Sequence, residues 1–416
     1  MNALDRITGV VNFIEKMYSI DTQSITKFNL CLDIVDKRIT DFSNVNVTVV
    51  DRVCGKGTFL LAAIYRFVQH GCSVEHVVNN IIHGYDISES QIAHCIRNIE
   101  MATGVIPKNI KQKDTKNMTV ENLFTYELGN YPFNDSSEDA GRDTNKLKEN
   151  TSDLDSKFYL SEKIAEKRAV IFRSAFLLKN SSVRQNIMTD PSVRTIMDTS
   201  NSFDIMHDTM AVFSDDTKVY DKKEFIDCNS DNWFTETDKN TRLAPSISKK
   251  HSEIIINTIT EAKIVGSFKS IWNRPKVKRS DKRVNEENGI DFVQTNGVSG
   301  KDYIIYKFDG PKSDFKHLDK YRITLGSNSP TAFEMGGIKI AKPNIALSQS
   351  IVYFPFDTKE EAEIQKEYLE SEYVKCIASN LHMGTVNSSM FFDFVPYYKN
   401  LTKEKLKELN ESITNT

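Results

Sequence analysis

The sequence predicts an α/β protein in which a parallel sheet is flanked by helices. Short β-branched runs alternate with helical patterns through the first half of the chain, and each run ends near a polar residue. Beyond about residue 245, short strands separated by Gly, Pro and Asn predict a second domain of α+β type. At roughly 150 residues per domain, the length is compatible with two or three domains. We therefore expect a first domain over 1–245 and a second over 246–416.

The first elements follow from periodicity. Residues 45–50 are β-branched and bounded by Asn and Asp, which indicates a buried strand. Apolar residues at spacings of three and four over 58–68 predict a helix with one buried face. A second strand is expected over 81–85, followed by a serine-capped helix over about 88–101.

Similar patterns predict the later elements. Further strands of the first domain are expected around Ile110, over 123–128, and within 169–178, 203–205 and 210–213. In the second domain, strands are expected at 303–306, 321–323, 338–340 and 350–354, followed by one helix from Lys359 to about Ala378.

Composition excludes several classes of protein. Lys and Arg total 54 against 57 Asp and Glu, a formal charge of −3, so a uniformly basic coat protein is excluded. The apolar runs are far shorter than the roughly 20 residues of a membrane-spanning helix, so we expect no membrane partner. Six scattered cysteines without a CxxC pair favour a cytoplasmic protein with no zinc site. The oligomeric state stays open, and a monomer is compatible with the sequence.

The strand ends predict a nucleotide-like cofactor site. Asp51 is followed by a turn containing Gly55 and Gly57, which allows close approach of a ligand to the backbone. Asp86 ends the next strand, where an acid can accept hydrogen bonds from ribose hydroxyls. Asp114 follows the third strand and is a candidate contact for an adenine amino group. Each also has a structural interpretation, as a plain turn or a helix cap.

The segment Asn130-Tyr131-Pro132-Phe133 is a candidate catalytic motif at the end of the fourth strand. An Asn oxygen can accept hydrogens from an exocyclic amine, and a following aromatic ring can stack on a flipped base. Taken alone, the segment is more typical of an ordinary proline-containing turn. Its order and spacing after the glycine turn favour the catalytic interpretation.

Together these motifs resemble the S-adenosylmethionine-dependent N6-adenine DNA methyltransferases of the gamma arrangement, as in TaqI-like and Eco57I-like enzymes. The glycine turn resembles their first cofactor motif, and the segment 130–133 resembles their (D/N)PP(Y/F) motif. The segment 8–17 resembles their N-terminal cofactor element. The resemblance implies a Rossmann-like methyltransferase sheet followed by a DNA-recognition domain. It also implies double-stranded DNA as partner and S-adenosylmethionine as cofactor.

The resemblance implies a role for each site residue. It places the cofactor against Thr8, Asp51, Cys54, Gly55, Gly57, Asp86, Ile87 and Asp114. It assigns the target amine to the Asn130 side chain and the Tyr131 carbonyl, and stacking on adenine to Phe133, with Pro132 completing the motif. A second stacking aromatic is expected beyond the motif, at Phe203, Phe213 or Phe225, with a preference for Phe225.

Two residues depart from the family pattern. Arg52 stands where proline usually follows the acid, and Tyr131 replaces the first proline of the catalytic motif. Because proline stiffens the backbone, Tyr131 predicts a looser alignment of the target amine. An inactive DNA-binding protein with a methyltransferase fold is therefore an alternative, as is an enzyme that methylates RNA or a protein glutamine.

A basic run at the start of the second domain predicts contact with DNA phosphates. Residues 269–283, here called the basic segment, carry seven positive charges against the single acid Asp281. The candidate DNA-binding residues are Lys269, Trp272, Arg274, Lys276, Lys278 and Arg279, together with Phe225. A solvated surface would give the same pattern, but the phosphate surface favours DNA over a glutamine substrate.

Overall fold

The computed structural model describes residues 2–18, 26–116, 118–132, 154–178, 181–203, 209–285, 287–296, 303–326, 337–381 and 391–414. The chain forms two compact units, Met1–Pro245 and Ser246–Thr416. Within the described ranges, no helix combines the length and apolar character needed to cross a membrane.

The first unit is built from alternating strands and helices. Its helices are α1 (Ala3–Tyr18), α2 (Phe28–Arg38), α3 (Thr58–Gln69), α4 (Val74–His76), α5 (Glu89–Thr103), α6 (Leu154–Leu160), α7 (Ala175–Leu178) and α8 (Ser182–Thr189). Its strands are β1 (Val49–Asp51), β2 (Ile82–Asp86), β3 (Ile110–Gln112), β4 (Phe124–Asn130), β5 (Ala165–Arg173), β6 (Val193–Asp198), β7 (Thr209–Asp215), β8 (Lys223–Ile226) and β9 (Asn232–Thr235).

These strands form one sheet in the order β3-β2-β1-β4-β5-β7-β6-β8-β9. The ladders from β3 to β5 are parallel, and β7 is inserted antiparallel between β5 and β6. From β1 the chain adds strands first on one side and then, with β4, on the other. Ligands of open α/β sheets bind at such a reversal, outside the carboxyl ends of the strands.

Strand β1 is shorter than predicted because local side-chain bonds precede it. The Asn44 side chain accepts the amide of Asn46 at 3.0 Å. Thr48 and Thr125 exchange amide-to-hydroxyl bonds of 3.1 and 3.0 Å. Such bonds compete with a regular ladder. The Thr48 carbonyl still accepts the Tyr126 amide at 2.9 Å, but the regular register of paired residues begins at Val49.

The far edge of the sheet differs from the prediction. Strands β6, β8 and β9 were not predicted, whereas Phe203 follows a short 3₁₀ turn over Ser200–Ser202. The rest of the expected strand at 203–205 lies outside the described residues. The β8–β9 hairpin is held by Phe225 stacked on Trp233, with ring centroids 4.3 Å apart.

The second unit combines two small sheets with helices. Its helices are α9 (Ser252–Val265), α10 (Lys359–Leu369), α11 (Glu372–Asn380) and α12 (Lys403–Thr414). Its strands are β10 (Val284–Asn285), β11 (Ile290–Val293), β12 (Ile305–Phe308), β13 (Tyr321–Gly326), β14 (Lys339–Ala341), β15 (Ala346–Leu347) and β16 (Ile351–Phe356). They pair in the orders β10-β12-β11-β15 and β14-β13-β16. The single helix predicted over 359–378 is two helices, because Ser371 caps the second by accepting the amide of Val374.

Candidate active site

Three of the predicted site residues are the last residues of neighbouring strands. Asp86 ends β2, Asp51 ends β1 and Asn130 ends β4. Strand β1 pairs in parallel with both β2 and β4, so these carboxyl ends share one edge of the sheet. The structure thus brings together residues that lie up to 79 positions apart, at the place where the strand order reverses.

The glycine turn after β1 has the geometry that only glycine adopts readily. Gly55 has φ +50° and Gly57 has φ +89°. A Cβ on Gly57 would lie 2.7 Å from the Cys95 sulfur, so a side chain there is excluded sterically as well. The Gly57 amide donates to the Cys54 carbonyl at 2.8 Å, and α3 begins immediately afterwards. At Gly55 and Gly57 this turn therefore presents backbone without side chains after the strand end.

Asp86 is attached to this turn. Its Oδ2 accepts the Gly55 amide at 3.0 Å, and its Oδ1 accepts the Ser88 amide at 2.9 Å. A carboxylate has about four acceptor sites, so two remain for hydroxyl groups of a ligand. The next residue, Ile87, exposes 68% of its surface. Asp114 is exposed and accepts the amide of Lys116 at 3.0 Å in a local turn beyond β3.

Asp51 is a buried carboxylate beside the candidate catalytic segment. It is 2% exposed, and its Oδ1 accepts the Val53 amide at 3.0 Å. Burial raises its pKa well above the ordinary value, and the nearby Asp86 and Glu127 act in the same direction. The same oxygen lies 3.0 Å from the position that a Cβ on Gly129 would occupy. The candidate cofactor residue Asp51 therefore lies next to the residue that precedes the candidate catalytic segment 130–133.

Asn130 presents an unused acceptor. Its Nδ2 donates to Thr26 Oγ1 at 3.1 Å. Its Oδ1 is buried and has no hydrogen-bond partner among the residues that the structure describes. Buried polar atoms are normally satisfied, so an unpaired oxygen at this edge indicates a place for a donor from a ligand. Thr26 was not predicted, because its partner lies 104 positions away.

The two departures from the family pattern meet on one side chain. Arg52 Nε and Nη2 donate to Glu127 Oε1 and Oε2 at 2.6 and 3.1 Å. The Tyr131 hydroxyl donates to Glu127 Oε1 at 2.7 Å. Burial opposes the charge of Arg52, but Tyr131 and Glu127 hold its pKa above the ordinary value. Burial and Glu127 raise the pKa of Tyr131. The sequence signal for this network was the charged residue Glu127 between Tyr126 and Leu128 in an expected strand. This signal indicates that a partner is needed but does not identify it.

Three other candidates have different outcomes. Phe133, the expected stacking ring, lies outside the described residues. Thr8 is on an exposed face of α1, and its hydroxyl donates to Leu4 of the same helix at 3.0 Å. No hydrogen bond joins Thr8 to another candidate among the residues that the structure describes. Phe225 is fully buried in the β8–β9 hairpin, which corrects the expectation that its ring stacks on a base.

The basic segment in the second unit is largely exposed but partly neutralised. Lys269 pairs with Asp393 at 3.4 Å, and Arg283 pairs with Asp281 and Asp314 at 3.0 and 2.7 Å. The exposed cations Lys276, Lys278 and Arg279 form no ion pair within the described part of the chain. Arg274 is also exposed and donates to the carbonyl of Gln349 at 2.8 Å, while Trp272 is partly buried.

A cavity of about 600 Å³ lies beside the basic segment. The cations that line it are Arg274, Lys276, Lys278, Arg283, Lys316 and Arg322. Of these, Arg322 is 1% exposed, and burial lowers its pKa to about 10. Its Nη2 donates to the carbonyls of Lys342 and Ile345 at 3.0 and 2.6 Å. The lining is therefore strongly cationic, with Asp281 and Asp314 as its acids.

Comparison with known proteins gives likeness in fold only. No protein-family model matches the sequence, and no curated protein matches it. The DNA-bound ATP-dependent Type ISP restriction-modification enzyme LlaBIII is similar over 100% of this chain and 41% of its own, with 12% identity and a TM-score of 0.50. The Type IIL restriction-modification enzyme MmeI, in complex with DNA, matches 99% of this chain and 73% of its own, with 12% identity and a TM-score of 0.43.

A type I restriction-modification methyltransferase subunit from Streptococcus thermophilus is also similar. It covers 59% of this chain and 55% of its own, with 15% identity and a TM-score of 0.40. The chain spans about half the length of this subunit. At 12% identity the likeness to LlaBIII concerns the fold alone, and it confirms the predicted α/β fold class. The chain has an α/β fold similar to that of the restriction-modification enzyme LlaBIII.

Proposed function

We propose that the chain is a DNA methyltransferase that transfers a methyl group from S-adenosylmethionine to the N6 amine of adenine. The observation that carries this proposal is the buried and unpaired Oδ1 of Asn130, at the sheet edge shared with Asp51. The order of the sequence motifs and the fold likeness support the same function. The first unit is proposed as the catalytic domain and the second as the DNA-recognition domain.

The residues at the sheet edge fit this cofactor. Asp51 forms no ion pair among the described residues, so a positively charged amino group would compensate its buried carboxylate. The turn at Gly55 and Gly57 allows close approach of the methionine part. Asp86 retains acceptor sites for ribose hydroxyls, and the exposed Ile87 offers an apolar contact for the adenine ring. When bound, S-adenosylmethionine supplies a methyl group on a positively charged sulfur.

Asn130 would act on the target base. An adenine leaves its stack at a cost of a few kcal/mol, which contacts in the site must offset. Asn130 Oδ1 then accepts one hydrogen of the N6 amine, and the resemblance assigns the second hydrogen to the Tyr131 carbonyl. Both bonds localise the nitrogen lone pair toward the methyl group. The resemblance assigns stacking on the flipped base to Phe133.

The basic segment supports a nucleic acid as the substrate. Lys276, Lys278 and Arg279 are exposed cations, and the neighbouring cavity offers further positive charge to phosphates. A protein glutamine would not require such a surface. Double-stranded DNA is therefore the proposed partner, and RNA is the alternative nucleic acid.

The test is transfer of a labelled methyl group from S-adenosylmethionine. The full chain is incubated with unmethylated genomic DNA, with RNA and with a glutamine-rich peptide, and modified adenines are mapped by sequencing. Asn130→Ala should abolish transfer but retain cofactor binding. Asn109→Ala is the matched control, because it also loses one amide bond, to the Asn79 carbonyl at 2.9 Å.

The outcomes separate the alternatives. Label in N6-methyladenine of DNA, lost only in Asn130→Ala, supports the proposal. Label in RNA or peptide alone would assign another acceptor. Tight DNA binding without transfer at saturating cofactor would indicate an inactive protein with this fold. Full activity of Asn130→Ala would refute the role of its side chain.

A further inference from the structure

Arg52 and Tyr131, the two residues that replace family prolines, share one buried carboxylate. Glu127 Oε1 accepts from Arg52 Nε at 2.6 Å and from the Tyr131 hydroxyl at 2.7 Å, while Oε2 accepts from Arg52 Nη2 at 3.1 Å. All three side chains are at most 1% exposed. A fully bonded buried network of this kind has one geometry, because any displacement leaves a charge or hydroxyl unpaired.

Arg52 extends the network to the surrounding loops. Its Nη1 donates to Ser161 Oγ at 2.7 Å, and its Nη2 also reaches the Glu162 carbonyl at 3.3 Å. Its own carbonyl accepts the Thr115 hydroxyl at 2.6 Å. Arg52, which lies in the loop after β1, is thus bonded to the loop after β3 through its carbonyl and to the segment before β5 through its guanidinium.

The backbone at position 131 is held as well. The Tyr131 amide donates to the Ile171 carbonyl at 3.0 Å, which continues the β4–β5 ladder past Asn130. A proline has no amide hydrogen and could not form this bond. The Tyr131 ring packs against Phe158, with centroids 5.4 Å apart. Residue 131 is therefore fixed through its amide, its ring and its hydroxyl.

We infer that Arg52, Glu127 and Tyr131 are positioning residues. Their network fixes the position of Asn130, a task that the stiff prolines perform in the family that the sequence resembles. This inference rests on the proposed function, since it concerns the alignment of the target amine. Asn130 directly precedes Tyr131, so a shift of the turn moves its Oδ1. In reactions that depend on alignment, a displacement of about 1 Å can cost about a hundredfold in rate. This inference is contrary to the expectation that Tyr131 loosens the alignment of the target amine, and the experiment below decides between them.

The test uses Tyr131→Phe, which keeps the ring and amide but removes the bond to Glu127. Tyr159→Phe is the matched control: this tyrosine is equally buried in the same unit, and its hydroxyl has no partner among the described residues. Glu127→Gln is avoided because it leaves the Arg52 guanidinium buried without its anion. Arg52 variants are avoided here because they leave the Glu127 carboxylate buried without its cation.

Two readouts are measured on the full-length protein. In Tyr131→Phe, kcat for methyl transfer should fall roughly ten- to hundredfold, with cofactor KM within about twofold of wild type. Hydrogen–deuterium exchange over 127–132 should accelerate in this variant and stay unchanged in Tyr159→Phe. Equal exchange and equal kcat in both variants would overturn the inference. If the wild type transfers no methyl group, the proposed function fails, while the exchange data still decide whether the network stiffens the turn.

Discussion

Replacing Arg52 by methionine should destabilise the first unit strongly. The substitution keeps an unbranched side chain of similar length but removes four hydrogen bonds, two of them to Glu127. Glu127 Oε2 then loses its only described donor, while Oε1 keeps Tyr131. Removal of one partner from a buried ion pair costs about 3–5 kcal/mol of unfolding free energy. A domain of ordinary stability tolerates that loss and still folds.

A double-mutant cycle separates the interaction energy of the Arg52–Glu127 ion pair from the packing contribution of the two side chains. Arg52→Met with Glu127→Leu removes both charges and leaves mainly the Tyr131 hydroxyl unpaired, a cost of about 1–3 kcal/mol. The double variant should therefore be more stable than Arg52→Met alone, in contrast to additive behaviour. The exposed pair of Lys37 and Asp33 in the first unit, at 3.6 Å, provides the control, and Lys37→Met should change little.

The assay is urea unfolding monitored by tryptophan fluorescence. The chain has two tryptophans, Trp233 in the first unit and Trp272 in the second. In a Trp272→Phe background, the buried Trp233 reports on the first unit alone. An Arg52→Met midpoint equal to that of the Lys37→Met control would refute the argument. So would a double variant that shows the sum of the two single losses.

Three further substitutions test other parts of the site and the basic segment. Gly129→Ala should cost about 1–3 kcal/mol in urea unfolding, because its Cβ would lie 3.0 Å from Asp51 Oδ1, and an unchanged midpoint would contradict this packing. Burial raises the pKa of Asp51, so its ionisation opposes folding once the pH exceeds the unfolded value of about 3.9. Asp51→Asn should therefore stabilise the first unit at pH 7 but not near pH 3, and a benefit independent of pH would exclude this cause. Replacing Lys276, Lys278 and Arg279 by Gln should reduce the salt dependence of DNA binding, by about 0.9 in log–log slope for each phosphate that is no longer neutralised. The same change at Lys375, Lys405 and Lys407 is the control for that experiment, and equal slopes in both triple variants would place the DNA elsewhere.

Strand ends were the most predictable part of the site. Asp51, Asp86 and Asn130 each follow an apolar run, and parallel strands carry their carboxyl ends to one edge. The left-handed turn at Gly57 follows from the same reasoning, since glycine alone adopts it without strain. These features depend on local sequence and on one rule of sheet topology.

Contacts between distant residues were not predictable. Arg52 and Glu127 lie 75 positions apart, and their bond depends on the register of β1 against β4. Thr26 precedes α2, whose packing sets where its hydroxyl lies. The prediction that Phe225 stacks on a base was wrong for a related reason. An aromatic residue in a short strand has the same sequence pattern whether its ring is buried or presented to a ligand.

The shared carboxylate also limits how this protein can change during evolution. If Arg52 were lost first, the Glu127 carboxylate would stay buried without a cation. If Glu127 were lost first, the Arg52 guanidinium would stay buried without an anion. A lineage that exchanges these residues for prolines must therefore pass through an intermediate of low stability or replace several residues together. We expect positions 52, 127 and 131 to be inherited as a set in relatives of this chain.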